Sequence, residues 1–169
     1  MKQRRLTEIV GAVFLLAMLS APALAATRVA NLEGFQEVPV VSTSGEGRCR
    51  AKISDDAEPM IEVELSYSGL EGNVTQAHIH LGQRDVNGGI VLFLCSNLPS
   101  PPSGTPACPG PHSGEVVRTL TSADIVPVTL QGIAASELDE VIAAMRDGKT
   151  YCNVHSDMSP AGEIRGQFR

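Results

Sequence analysis

The sequence predicts a mainly β protein, an antiparallel Greek-key β-sandwich or barrel with one short helix. Three observations carry this. Short segments alternate apolar and polar residues with the period of two that a half-buried strand requires. Clusters of glycine, proline, asparagine and aspartate separate them at short intervals, and only one stretch sets apolar residues at helical spacing. Many short strands with a single helix suit sheet packed on sheet, or one sheet closed on itself.

Each element has its own justification. Thr27 to Leu32 opens the domain, and Gly45 to Ile53 follows with Arg48, Arg50 and Lys52 on a wet face and Cys49, Ala51 and Ile53 on a dry one. In Met60 to Tyr67 the dry residues are Ile61, Val63, Leu65 and Tyr67, and Asp55-Asp56-Ala57-Glu58-Pro59 turns the chain between these two strands. Gly69-Leu70-Glu71-Gly72-Asn73 breaks the chain before Val74 to Leu81. Asn87-Gly88-Gly89 is a turn, and Ile90 to Cys95 is apolar on both faces, as a central strand is. Pro99 to Pro111 is a low-complexity loop. Ser136 as N-cap, with Asp139 three residues on, opens a helix whose Leu138, Val141, Ile142 and Met145 share one face, and Gly148 ends it. Strand resumes at Thr150 to His155, turns through Ser159-Pro160-Ala161-Gly162 and closes with Ile164 to Phe168.

Residues 1–25 stand apart. Lys2, Arg4 and Arg5 form a basic n-region, Ile9 to Leu19 an apolar h-region and Ala23-Leu24-Ala25 a small-x-small cleavage site, so a cleaved signal peptide is expected, leaving 26–169 as one domain. The mature chain is then secreted or periplasmic. No later stretch has the roughly 20 apolar residues of a membrane span, so no membrane association is expected after cleavage. Removing Lys2, Arg4, Arg5 and Glu8 takes the formal charge from −6 to −8. That balance argues against nucleic acid, which needs a basic surface, and leaves an extracytoplasmic protein or glycan as the expected partner.

Four cysteines remain, and an even count in an exported domain suggests two disulfides, for which three pairings exist. Cys95–Cys108 would staple the loop from Ser96 to Ala107. Cys49–Cys152 is the companion pair, because Cys49 lies on a dry strand face and so does Cys152 with Val154 if Asn153 and His155 point outward. Each closure is worth about 2–4 kcal/mol.

All four histidines sit in compact motifs, Ala77-His78-Ile79-His80, Gly110-Pro111-His112 and Asn153-Val154-His155. On a strand, His78 and His80 project to one side and Ala77 and Ile79 to the other, so two imidazoles already share a face. His155 could join them from a neighbouring strand and His112 from a loop anchored by Cys108. Three or four imidazole nitrogens suit Cu(II). The competing reading is that these rings only hydrogen-bond turns and tie the sheet to the Gly162-Glu163 loop. Glu163 and Arg165 share a face, so Arg165 is expected to pair with Glu163 or Asp157, or else to sit beside the histidines and attract an anion. Glu37 could accept a hydrogen bond from a ligand imidazole. No Gly-x-Ser-x-Gly elbow, phosphate loop, dinucleotide fingerprint or His-Glu-x-x-His motif is present, so any catalysis depends on the histidines.

Leu32-Glu33-Gly34, Glu37-Val38-Pro39-Val40, Gly45-x-Gly47, Ala77-His78-Ile79-His80-x-Gly82, Asn87-Gly88, Tyr151-x-Asn153-Val154-His155 and Gly162-Glu163-Ile164-Arg165-Gly166-Gln167 follow one another across the mature chain. In this order they resemble the chordin-type (CHRD) domain. The resemblance implies an extracellular immunoglobulin-like or related β-sandwich. It does not imply growth-factor capture, because the cysteine-rich modules that accompany the domain in chordin are missing here.

The histidine motifs are also similar to those of copper/zinc superoxide dismutases, which place copper on an His-x-His strand, a later Gly-Pro-His and a Val-His-x-Asp segment. His78-Ile79-His80, Gly110-Pro111-His112 and Val154-His155-Ser156-Asp157 match these in order, with Cys108 upstream of the second. A zinc site is not implied, since no histidine lies between His112 and His155. The resulting expectation is a non-catalytic binding module with a copper site of His78, His80 and His155, and His112 as a fourth ligand. The alternatives are an interaction module of the cell envelope and a copper-only dismutase-like enzyme.

Overall fold

Alternation along Glu46–Ile53 and Ile61–Ser68, and over the second half of Ala26–Glu33, builds the first wall of the protein. In the computed structural model, which describes residues 26–54 and 57–169, β1 (Ala26–Glu33), β2 (Glu46–Ile53) and β3 (Ile61–Ser68) pair antiparallel in sequence order. Cys49, Ala51, Ile53, Ile61, Val63, Leu65 and Tyr67 all point into the core, as their phase predicts. The expected signal peptide, and Asp55 and Asp56 of the expected turn, lie outside the described residues.

The remaining strands are β4 (Val74–Leu81), β5 (Gly89–Ser96), β6 (Gly114–Leu120), β7 (Thr150–Ser156) and β8 (Ile164–Gln167). All eight join one sheet in the order β5-β4-β7-β8-β1-β2-β3-β6. The sheet curls until its edges, β5 and β6, face each other, and Arg118 on β6 bridges the seam. Its guanidinium donates to the Phe93 carbonyl on β5 at 2.6 Å and pairs with Asp124 at 2.9 Å. The chain crosses between the two halves from β3 to β4 and again from β6 to β7, which makes this a nearly closed Greek-key barrel, the expected class.

Strand β6 was not expected, and Arg118 is the reason. Its inward positions are Val116, Arg118 and Leu120, so the seam arginine interrupts the apolar alternation while Val117 faces solvent. The helix α1 (Leu138–Arg146) buries Leu138, Val141, Ile142 and Met145 as expected. Its N-cap, however, is Glu137 rather than Ser136, which lies in the left-handed region at φ 68° and so cannot take the extended cap conformation. At the other end Gly148, at φ 68°, lets the Gly148 and Lys149 amides reach the Met145 and Ala144 carbonyls in a Schellman closure.

The Cys95–Cys108 disulfide is present and closes the proline-rich loop. The expected Cys49–Cys152 disulfide is not. Strand phase brings both side chains into the interior and into contact, but they stand there as free thiols. An even count of cysteines does not require that all pair, because two buried thiols pack as small apolar groups. Burial first, and then the Cys49 thiol beside it, push the Cys152 thiol well above its ordinary value.

Candidate metal centre

Alternation along β4 sends Ala77 and Ile79 into the barrel core and turns His78 and His80 to the opposite face. The β4–β7 register sets His78 opposite Asn153, His80 opposite Tyr151 and Gln76 opposite His155, so the third histidine lands diagonally beside the first. This face is not wet. Asn87 donates to the Val38 carbonyl at 2.8 Å, tying the loop after β4 to the loop after β1, and the Pro160 carbonyl meets His155 from the β7–β8 turn. Under this roof His78 is fully buried and His80 and His155 are 7% and 6% exposed. The sequence correctly separates Asn153 and His155 from Cys152 and Val154, but the residues expected to point outward are covered by loops.

The ring protons can be assigned from the partners. His80 Nδ1 lies 2.9 Å from the Gly88 carbonyl and His155 Nδ1 lies 3.0 Å from that of Pro160. A carbonyl only accepts, so both Nδ1 atoms donate and a neutral ring keeps a bare lone pair at Nε2. His78 Nε2 donates to Gln76 Oε1 at 3.1 Å, leaving its Nδ1 bare. His78 Nδ1 and His80 Nε2 are buried with no hydrogen-bond partner. His155 Nε2 faces Asn153 Oδ1 at 3.1 Å, two acceptors that repel unless the amide turns or a cation lies at the nitrogen. One nitrogen from each of the three rings lies within 4.8 Å of those of the other two.

Electrostatics keep the rings neutral. Burial, and then the neighbouring His155 and His80, hold His78 down to about 2; burial also lowers His80 to about 4 and lowers His155. Neutral imidazole is the form that ligates metal. Phe93 packs edge-on against His78 at 4.3 Å between centroids, and Tyr151 stacks on His80 at 4.7 Å and 8°.

Arg165, 1% exposed, lies 3.5 Å from the centroid of the Tyr151 ring. It pairs with neither Glu163 nor Asp157. Its guanidinium donates to Asn87 Oδ1 at 3.0 Å and to the Val86 and Gln83 carbonyls, so it holds the β4–β5 loop over the histidines and is not presented to anions from solvent. Asp157 accepts instead from Asn73, which holds its carboxyl below the usual range, and Glu163 accepts from Thr43 Oγ1 and the Glu71 and Gly72 amides. Burial alone would raise Glu163, but these bonds and one from Ser156 outweigh it and lower its carboxyl.

Glu37 touches Asn153, not an imidazole. It is 5% exposed, its Oε1 has no partner, and burial pushes it up to about 7 against the lowering influence of Arg165, Asn153 and the Val38 amide. Gly162, at φ 130°, makes room for it: a Cβ there would overlap the Glu37 carboxyl. His112 is not in the cluster. It lies exposed in the β5–β6 loop, where Nδ1 donates to the Leu70 and Gly72 carbonyls of the β3–β4 turn at 3.0 and 3.1 Å. The Arg165–Tyr151–His80 stack was not foreseen, and only the β4–β7 register, which sets Tyr151 opposite His80, could have suggested it.

A family model described as CHRD domain matches residues 28–168. No curated protein and no solved structure matches the chain.

Proposed function

The chain belongs to the CHRD domain family, and we propose that it is an exported, non-catalytic copper-binding module whose metal is held by His78, His80 and His155. One observation carries the reading. Three neutral imidazoles place one nitrogen each within 4.8 Å of one another, and His78 Nδ1 and His80 Nε2 are buried without a partner. An orphaned buried acceptor costs roughly 1–3 kcal/mol, so two in one cluster favour a cation there over a purely structural role. The donor set is all nitrogen, which suits copper better than magnesium or calcium. Copper would supply Lewis acidity or one-electron chemistry. The protein's part is to fix the three tautomers through Gly88, Pro160 and Gln76, to pack Phe93 and Tyr151 against the rings, and to exclude bulk water. Export rests on the basic, apolar and small-residue succession of residues 1–25.

Titration of copper into the purified protein, read by elemental mass spectrometry after dialysis, tests this. About one copper per chain is expected, lost in the His78→Ala/His80→Ala variant and retained in His112→Ala. Absence of a stoichiometric complex in a folded wild-type protein would end the copper reading, and loss of copper in His112→Ala would overturn the three-ligand set.

A further inference from the structure

We infer that the side-chain oxygen of Asn153 is a fourth ligand of the metal held by His78, His80 and His155, and that it fits the centre to Cu(II) rather than Cu(I). The inference rests on the three-histidine reading above and adds the residue that stands among the rings. Asn153 faces His78 directly across the β4–β7 ladder and precedes His155 by two residues on the same strand face. His80, paired with Tyr151, is its diagonal neighbour. Asn153 is 3% exposed, so water does not reach it from outside.

The contact between Asn153 Oδ1 and His155 Nε2 is the anomaly that needs a cause. Their separation is 3.1 Å, a hydrogen-bond distance, yet the proton of His155 is on Nδ1, donated to the Pro160 carbonyl. Two lone pairs therefore face each other with no hydrogen between them. Atoms bound to one ion at about 2.0–2.1 Å lie about 3 Å apart, which is the spacing seen. Oδ1 also faces the His80 ring, without a hydrogen bond of normal geometry to Nε2.

The rest of the amide explains why the oxygen points this way. Its Nδ2 donates to the Glu37 carboxyl, which is buried and seated against Gly162. Turning the amide would relieve His155, but it would set Oδ1 against the Glu37 carboxyl and still leave His78 Nδ1 bare. A cation satisfies His78 Nδ1, His80 Nε2, His155 Nε2 and Asn153 Oδ1 together. Glu37 is thus a positioning residue, acting through Asn153. The donor set also selects an oxidation state. Sulfur ligands favour Cu(I), whereas imidazole with an amide oxygen suits Cu(II), and the cluster contains no thiolate.

Pulsed electron paramagnetic resonance on the whole Cu(II)-loaded protein, isotopically labelled at the side-chain carbonyl carbon of asparagine, tests this. A carbon coupling is expected beside the imidazole nitrogen couplings, lost in Asn153→Ala and weakened in Glu37→Ala. Asn153→Ala should also bind Cu(II) about tenfold or more weakly while Cu(I) affinity stays within about twofold, because a lost oxygen ligand penalises the divalent ion and a lost fold penalises both. In Glu37→Gln/Asn153→Asp the amide and carboxyl exchange places, an oxygen still faces the rings, and Cu(II) affinity should return. Imidazole couplings without a carbon coupling overturn the assignment and leave the three histidines standing. Equal losses for both copper states overturn it too, as does unchanged Cu(II) affinity in Asn153→Ala, or an exchange variant that folds but binds no better than Asn153→Ala. Absence of bound copper or of the imidazole couplings would instead remove the three-histidine reading, and this inference with it.

Discussion

Replacing Glu37 by Gln should make the metal-free protein more sensitive to acid, and the size of the change follows from three buried groups. His78 and His80 are held to about 2 and about 4, chiefly by burial, against about 6.5 in an unfolded chain. The unfolded state therefore binds protons first, so the stability these rings allow is present above about pH 6.5 and drains as pH falls toward the folded values. Between pH 7 and pH 5 each ring accounts for a loss of about 2 kcal/mol. Glu37 acts with the opposite sign. Raised by burial to about 7, it keeps its proton in the fold where the unfolded chain releases it, so its contribution is present below about pH 4.5 and lost as pH rises through 7. Acidification over the same interval returns about 2 kcal/mol through this carboxyl. Wild type should thus lose about 2 kcal/mol between pH 7 and pH 5 and Glu37→Gln about 4, with His155 adding to both. Urea unfolding in chelator, followed by far-UV circular dichroism because the chain has no tryptophan, measures both slopes. Parallel losses in the two proteins would show that Glu37 is not protonated in the fold and would refute this account of the site's electrostatics.

Two further outcomes test the packing around the site. Gly162→Ala should cost about 1–3 kcal/mol, since the methyl both overlaps the Glu37 carboxyl and demands φ 130° of an L-residue; unchanged unfolding would mean Glu37 is not seated there. For the cysteines, maleimide should add nothing to the native protein and two adducts, at Cys49 and Cys152, to the denatured unreduced chain, because both thiols are buried and unbonded. Zero adducts on denaturation would restore the second disulfide.

Much of the barrel was legible because alternation is a local property. Ile61, Val63 and Leu65 alternate with Glu62 and Glu64, and that period alone assigns the strand and its buried face. The helix was found by spacing and misplaced at its start, because Ser136 satisfies the cap pattern in composition while its backbone is left-handed. β6 escaped because Arg118 serves a partner strand that sequence distance hides.

For the candidate site, the His-x-His spacing put His78 and His80 on one face, and the succession of motifs nominated His155. Whether that face is wet or dry was not in the pattern, since the covering loops are anchored by Arg165, Asn87 and Glu163 through contacts dozens of residues apart. His112, chemically equivalent in sequence, was directed by the fold to the Leu70 and Gly72 carbonyls. The sequence by itself thus determined every strand but β6, the stapled loop and the residue types able to ligate a metal. The tertiary structure decided which imidazoles meet, which nitrogen each leaves bare, and that two cysteines of matching phase remain thiols. Strand phase acts over two residues, whereas burial, tautomer and proximity are set by long-range packing and appear only when the sheet closes.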